Sequence, residues 1–186
     1  MLTQTETKRL TRADYRAFVE QPEHVGRVFE FIDGEIIEKV SGGNPSNLAA
    51  TFIGLLFIYL RDHPIGHITS SDGEYDLPDG DTLIPDVGYI STARMAVLND
   101  DAIPMQPDLA IEVQSKTDRK RAMRKKAEQY IENGTQMVWL VFLDKTAEVY
   151  TNNLDIEPLV FGLDGVLSGG EVLPGLSIAL TDIFPA

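Results

Sequence analysis

Two kinds of apolar stretch alternate along the chain: short continuous runs, and runs spread at helical spacing. Thr11 opens the first helical stretch. Asp14, three residues on, completes a capping box, and Pro22 marks the end. Residues 28–32 and 35–40 read as paired strands, because Asp33-Gly34 between them suits a two-residue hairpin turn. Ser41-Gly42-Gly43 interrupts the pattern. Asn44-Pro45 then starts a long apolar helix, since proline suits the first turn. That helix is expected from Ser46 to about Arg61, ending before Pro64 and Gly66. Strands are expected at 67–75, 83–90 and 108–114. Met123, Ala127, Tyr130 and Ile131 form an apolar stripe on a further helix, capped by Thr117 and ended by Gly134. Residues 137–143 are continuously apolar, as in a strand buried on both faces. Asp144-Lys145 turns into a strand at 146–151, and short strands with Gly-rich turns fill 157–183. This order predicts an α/β fold, a mixed sheet with helices on its faces. No repeat, low-complexity tract or linker interrupts it, so one domain over 1–186 is expected.

Composition narrows the class. The length suffices for one sizeable core, and 43% hydrophobic residues is an ordinary globular value. There is no cysteine, which excludes disulfides and thiolate metal sites. That fits a reducing compartment, and a cytoplasmic location is expected. Met1-Leu2-Thr3-Gln4-Thr5-Glu6 lacks the basic-then-apolar pattern of a secretory leader. The apolar run at 52–60 is too short to span a bilayer, so no membrane partner is expected.

The net charge is −13, which argues against a uniformly basic nucleic-acid binder. Its distribution changes the picture. Lys116, Arg119, Lys120, Arg121, Arg124, Lys125 and Lys126 stand close together against one acid, Asp118. This segment carries +6, leaving −19 on the rest. An ordinary solvated helix face accounts for part of the cluster.

The candidate chemistry lies next to that segment. Asp86 falls inside Leu83-Ile84-Pro85-Asp86-Val87-Gly88-Tyr89-Ile90, and Glu112 inside Leu109-Ala110-Ile111-Glu112-Val113. A carboxylate in a buried strand is costly unless it is paired or binds a metal. Two of them on neighbouring strands, followed by a basic helix, suggest a divalent cation held against a phosphate. Taken singly, either acid is also explained by a solvated strand end, a helix cap or an arginine partner. Lys126 lies three residues after Met123 and four before Tyr130, so it flanks the buried stripe. From there it can snorkel outward or reach the end of the Glu112 strand. At such an edge its removal is expected to spare the fold. Lys125 points away. Glu30 on the first hairpin can join the site or face solvent.

Other constellations are weaker. Asp72, Glu74, Asp76, Asp79, Asp81 and Asp86 miss the spacing of a helix–loop–helix calcium loop. His24, His63 and His67 are scattered. Ser115 has no triad around it, and Gly-rich 162–170 lacks the lysine and flanking pattern of a phosphate loop.

Phe29-Glu30-Phe31-Ile32-Asp33-Gly34-Glu35-Ile36-Ile37-Glu38, then Pro85-Asp86-Val87, then Glu112-Val113-Gln114-Ser115, then Lys126, Tyr130, Gly134 and Val138-Trp139-Leu140-Val141 follow one another in order. In these residues the chain resembles the putative restriction endonuclease (Uma-two) branch of the PD-(D/E)XK nuclease superfamily. The resemblance covers residues 11–150 and most of the tail. It implies a restriction-endonuclease-like fold and metal-dependent cleavage of DNA. It also implies Asp86 and Glu112 as metal ligands with the Val113 carbonyl as a third, Mg²⁺ or Mn²⁺ as the ion, and a symmetric homodimer. The usual lysine position, two residues after the acid, is Gln114 here. The resemblance gives that role to Lys126, fourteen residues after Glu112. Two further positions depart: Asn47 stands where the branch often has histidine, and Ala122 where an acid is often found.

Three functions follow as expectations. The first is a Mg²⁺-dependent endonuclease acting through Asp86, Glu112 and Lys126. The second is a nucleic-acid-binding or assembly module that keeps the fold without activity. The third is a hydrolase of smaller phosphate esters.

Overall fold

The apolar run around Pro85 crosses from one sheet to another, and that crossing shapes the whole molecule. The computed structural model describes residues 9–184, so the residues read for a leader lie outside the described part. Helix α1 (Arg12–Val19) carries the expected capping box between Thr11 and Asp14, and a short 3-10 turn follows at Pro22–His24. Strands β1 (Val28–Ile32) and β2 (Glu35–Lys39) form the expected hairpin. Asp33 and Gly34 both have positive φ, 54° and 81°, as a primed two-residue turn requires.

Helix α2 (Gly43–Asp62) begins three residues ahead of the expected Ser46, with Gly42 as its N-cap. Pro45 thus falls within the first turn, where N–H groups have no helical partner and none is lost. The single strand expected at 67–75 is two: β3 (Gly66–Thr69) and β4 (Tyr75–Asp76). The one expected at 83–90 is also two, β5 (Thr82–Leu83) and β6 (Val87–Ser91). Pro85 lies between them and cannot donate to a ladder. Asp86 therefore stands in a crossover just ahead of a strand, not inside one.

Strand β7 (Leu109–Val113) leads through α3 (Lys120–Glu132) to β8 (Met137–Val141), which lies parallel to β7. Parallel neighbours need such a crossover helix. Then come β9 (Ala147–Thr151), β10 (Leu159–Phe161), β11 (Val166–Ser168), β12 (Ser177–Ala179) and α4 (Leu180–Ile183). The strands form a six-stranded mixed sheet, β10-β9-β8-β7-β6-β3, a four-stranded sheet, β2-β1-β5-β4, and the β11–β12 pair.

Helix α3 starts at Arg119 rather than at the expected cap, Thr117. The Thr117 hydroxyl bonds the Ser115 hydroxyl instead, and the Asp118 carboxylate accepts from the Ser115 N–H. The capping side chains are used within the preceding loop. The far end is as expected. Gly134 has φ +96°, its N–H reaches the Ile131 carbonyl, and the Thr135 N–H reaches the Tyr130 carbonyl.

Side chains of β7 and β8 alternate between two cores. Leu109, Ile111, Val113 and Trp139 pack under α2 with Leu48, Phe52 and Leu56. Ala110, Val138 and Leu140 pack under α3 with Met123, Ala127 and Tyr130. Glu112 is in step with Ala110, so it faces α3. Among the described residues no helix is long and apolar enough to cross a membrane.

Candidate active site

The C-terminal end of β7, the crossover before β6, the β1–β2 hairpin and α3 meet around one cleft of about 590 Å³. In open α/β sheets, ligands favour the carboxyl ends of strands. The cleft is lined by Glu30, Lys39, Asp86, Glu112, Val113 and Lys126, among others. A larger cleft of about 800 Å³ lies elsewhere, along Arg16, Glu74 and Asp76, and holds none of the expected site residues. Arg16 pairs there with both acids, and Arg12 approaches Asp76 at 3.5 Å. Glu74 and Asp76 of the acid-rich stretch are thus held in ion pairs with α1.

Each residue of the site is placed by local backbone needs. Continuing the β6–β7 register would set Val113 opposite Pro85, so the ladder stops. The Asp86 carboxylate takes over and accepts from the Val113 N–H at 2.7 Å. The crossover residue Ile84 donates its N–H to Glu30 Oε1 at 2.8 Å, and its carbonyl accepts from Lys39 Nζ at 2.5 Å. Buried backbone groups are rarely left unpaired, and here two side chains of the hairpin satisfy them.

Lys126 reaches from α3 into the same cluster. Its Nζ lies 2.7 Å from Glu112 Oε1 and 2.7 Å from Glu30 Oε1. Glu112 Oε1 also accepts from the Tyr130 hydroxyl at 3.0 Å. Lys39 Nζ stands 2.9 Å from Asp86 Oδ1 and 4.0 Å from Glu112 Oε2. Three carboxylates and two ammonium groups thus share one pocket, and their side chains are 8–16% exposed.

Burial pushes the Glu112 carboxyl above its ordinary value; Lys126 and Lys39 pull it down, while Asp86 and Glu30 add to the rise. Burial works against the charge on Lys126, but the carboxylates of Glu112 and Glu30 outweigh it and hold the ammonium pKa above the usual lysine value. The Tyr130 hydroxyl is pushed well up, first by burial and then by Glu112, so it stays a donor.

The structure places Asp86, Glu112, Val113 and Lys126 around one cleft, and Glu30, for which a solvent-facing position was the alternative, lines it too. It leaves Asn47 and Gln114 out of the cleft lining. Asn47 is exposed on α2, and its carbonyl accepts from the Thr51 hydroxyl. Gln114 ties the loop after β7 to the turn after β8: its amide donates to the Asp118 carbonyl and its carbonyl accepts from the Leu143 N–H. The usual lysine position therefore serves as a brace. Two participants escaped the sequence reading, Lys39 and the Tyr130 hydroxyl. A signal for Lys39 existed: it lies two residues from Ile37, which pairs with Glu30, so both face one side of the hairpin.

The donor set suits a hard divalent cation. Among the described residues no group of three His, Cys, Asp or Glu side chains forms a cage. Mg²⁺ does not need one, since it binds through one or two carboxylates and keeps several waters. Asp86 and Glu112 supply two carboxylates that approach the same Lys39 ammonium, at 2.9 and 4.0 Å, and carboxylate and carbonyl oxygens are the ligands this ion takes.

The chain matches the model of the Uma2 family, described as putative restriction endonuclease, over residues 14–181, and it belongs to that family. Its fold is restriction-endonuclease-like. A solved structure described as a putative nuclease belonging to DUF820, from Anabaena variabilis, superimposes with a TM-score of 0.79 at 21% identity. The match covers 94% of this chain and 97% of that one. No curated protein matches the chain.

Proposed function

We propose that this protein is a divalent-metal-dependent nuclease that hydrolyses phosphodiester bonds in DNA. One observation carries the reading: two buried carboxylates, Asp86 and Glu112, converge at a strand end beside the Lys126 ammonium. Asp86 and Glu112, with the Val113 carbonyl, would hold Mg²⁺ or Mn²⁺. When bound, the ion supplies Lewis acidity toward a phosphate oxygen and a water of lowered pKa. The chain's own residues set the rest. The Tyr130 hydroxyl and Lys126 fix the Glu112 carboxylate by two donors to Oε1. Glu30 holds the Lys126 ammonium at the cleft, where it offsets charge developing on a phosphate. The cleft mouth adjoins the basic segment that begins α3, which supplies attraction for the backbone of a nucleic acid. A symmetric homodimer would present two such clefts to the two strands of a duplex.

A second reading, a nucleic-acid-binding or assembly module without activity, draws on another observation. The Glu30, Asp86 and Glu112 carboxylates all have ammonium partners, and Glu30 and Asp86 also hold backbone N–H groups. The test is nicking of supercoiled plasmid and cleavage of single-stranded DNA with Mg²⁺ or Mn²⁺, for wild type and Glu112→Gln. Metal-dependent nicking by wild type that Glu112→Gln removes is the expected result. Binding without cleavage under every metal and salt condition would replace the nuclease with the inactive module.

A further inference from the structure

Lys39 sits between both carboxylates proposed to hold the metal. Its Nζ contacts three oxygens from three stretches: the Ile84 carbonyl at 2.5 Å, Asp86 Oδ1 at 2.9 Å and Glu112 Oε2 at 4.0 Å. Two of these belong to the carboxylates proposed to hold a metal, and the third is a backbone carbonyl of the crossover. Lys126 differs: it bonds the other oxygen of Glu112 and is tied back by Glu30, so it leaves Glu112 Oε2 and Asp86 alone. Lys39 lies at the end of β2, with Val40-Ser41-Gly42 after it before α2 begins. Its side chain is 16% exposed, in the cleft that Ser41 also lines.

From this geometry, and resting on the metal-dependent reading above, we infer that Lys39 competes with the divalent cation for Asp86 and Glu112. It acts as a built-in counter-ion that sets how much metal the site needs. A monovalent ammonium and a divalent ion cannot share these oxygens at 2.0–2.9 Å without strong repulsion. Binding of the ion therefore requires the Lys39 head to withdraw, and the loss of its two close contacts weakens metal affinity. The flexible four-carbon stem of lysine allows that withdrawal without backbone movement. Meanwhile Lys39 neutralises two buried acids that would otherwise repel each other, which keeps the metal-free site folded.

The test is titration of the whole protein with MnCl₂, followed by calorimetry and by the paramagnetic resonance signal of free Mn²⁺. Wild type, Lys39→Met, Lys39→Gln and Glu112→Gln are compared. Lys39→Gln retains an N–H donor for the Ile84 carbonyl, so it preserves the crossover should Lys39→Met fail to fold. Removing the ammonium should tighten Mn²⁺ binding by at least about ten-fold. Thermal melts provide a second readout: without metal the Lys39 variants should melt below wild type, and with saturating Mn²⁺ the gap should close or reverse. Affinity unchanged or weaker in folded Lys39 variants, with Glu112→Gln abolishing binding, overturns the competition and leaves the metal site standing. No saturable Mn²⁺ binding by any folded variant overturns the metal site itself, and the competition with it.

Discussion

Lys126 and Lys125 are sequence neighbours with opposite fates, and helical periodicity alone separated them. Lys126 flanks the stripe of Met123, Ala127 and Tyr130 and enters the cleft; Lys125 is 74% exposed and pairs with Asp33 at the hairpin turn. What periodicity did not show is how many groups Lys126 serves. Its removal was expected to spare the fold. The structure removes the premise of that expectation, because Lys126 is the ammonium between Glu30 and Glu112, both buried. Lys126→Ala should abolish cleavage and also destabilise by about 3–5 kcal/mol, the usual cost of stripping one partner from a buried pair. The loss should fall toward the low end, since Glu112, already raised by burial, can take up a proton. Lys125→Ala should change stability by no more than about 0.5 kcal/mol and leave cleavage nearly intact. Urea unfolding and plasmid nicking on both variants decide the matter. Equal, small losses from both would mean that the helix contributes only diffuse charge.

At the scale of elements, those with local signals were legible. The capping box, the Asp33-Gly34 turn and the glycine stop of α3 all lie where local chemistry puts them. Elements whose limits depend on distant partners were not. The run 83–90 is continuously apolar, and nothing in its hydrophobicity says that Leu83 joins one sheet and Val87 another. Pro85 was the available signal, as a residue that cannot sit in mid-ladder. Thr117 misled for a related reason: its hydroxyl had a nearer partner in Ser115. The stop of α3 can be tested directly. A Cβ at position 134 would sit in the left-handed region at φ +96° and 2.6 Å from the Gln106 amide nitrogen. Gly134→Ala should therefore cost about 1–2 kcal/mol, a left-handed penalty for a non-glycine residue. It should lower the melting temperature while leaving nicking per folded molecule unchanged. An unaltered melting curve would mean that the helix end relaxes to another cap.

For the molecule as a whole, the fold class and the meeting of Asp86, Glu112 and Lys126 in one cleft could be anticipated, because they lie in short motifs in a fixed order. Lys39 was legible only as a residue on the same face of the hairpin as Glu30; its partners Asp86 and Glu112 are brought to it by the packing of the hairpin against the larger sheet. The distribution of charge is a whole-molecule property too, and the structure sharpens its reading. Of the seven cations between 116 and 126, four are held in ion pairs: Lys120 with Asp144, Arg124 with Glu148, Lys125 with Asp33, and Lys126 with Glu30 and Glu112. Lys116, Arg119 and Arg121 have no ion-pair partner among the described residues. Arg119 and Arg121 line a depression that meets the cleft of Asp86 and Glu112 at Ala122 and Lys125. Within this segment these three are the cations available to phosphates, on a chain otherwise strongly acidic. Affinity for DNA should therefore be weak and steeply salt-dependent. Three phosphate contacts give a log–log slope near −2.7, or roughly a forty-fold loss between 50 and 200 mM salt. Arg119→Ala with Arg121→Ala should flatten that slope by about 2, whereas Glu112→Gln should keep or slightly raise affinity, because it removes a negative charge beside the phosphate. Fluorescence anisotropy of a labelled oligonucleotide across a salt series measures all three. A slope that the double arginine variant leaves unchanged would place the nucleic-acid face elsewhere on the molecule.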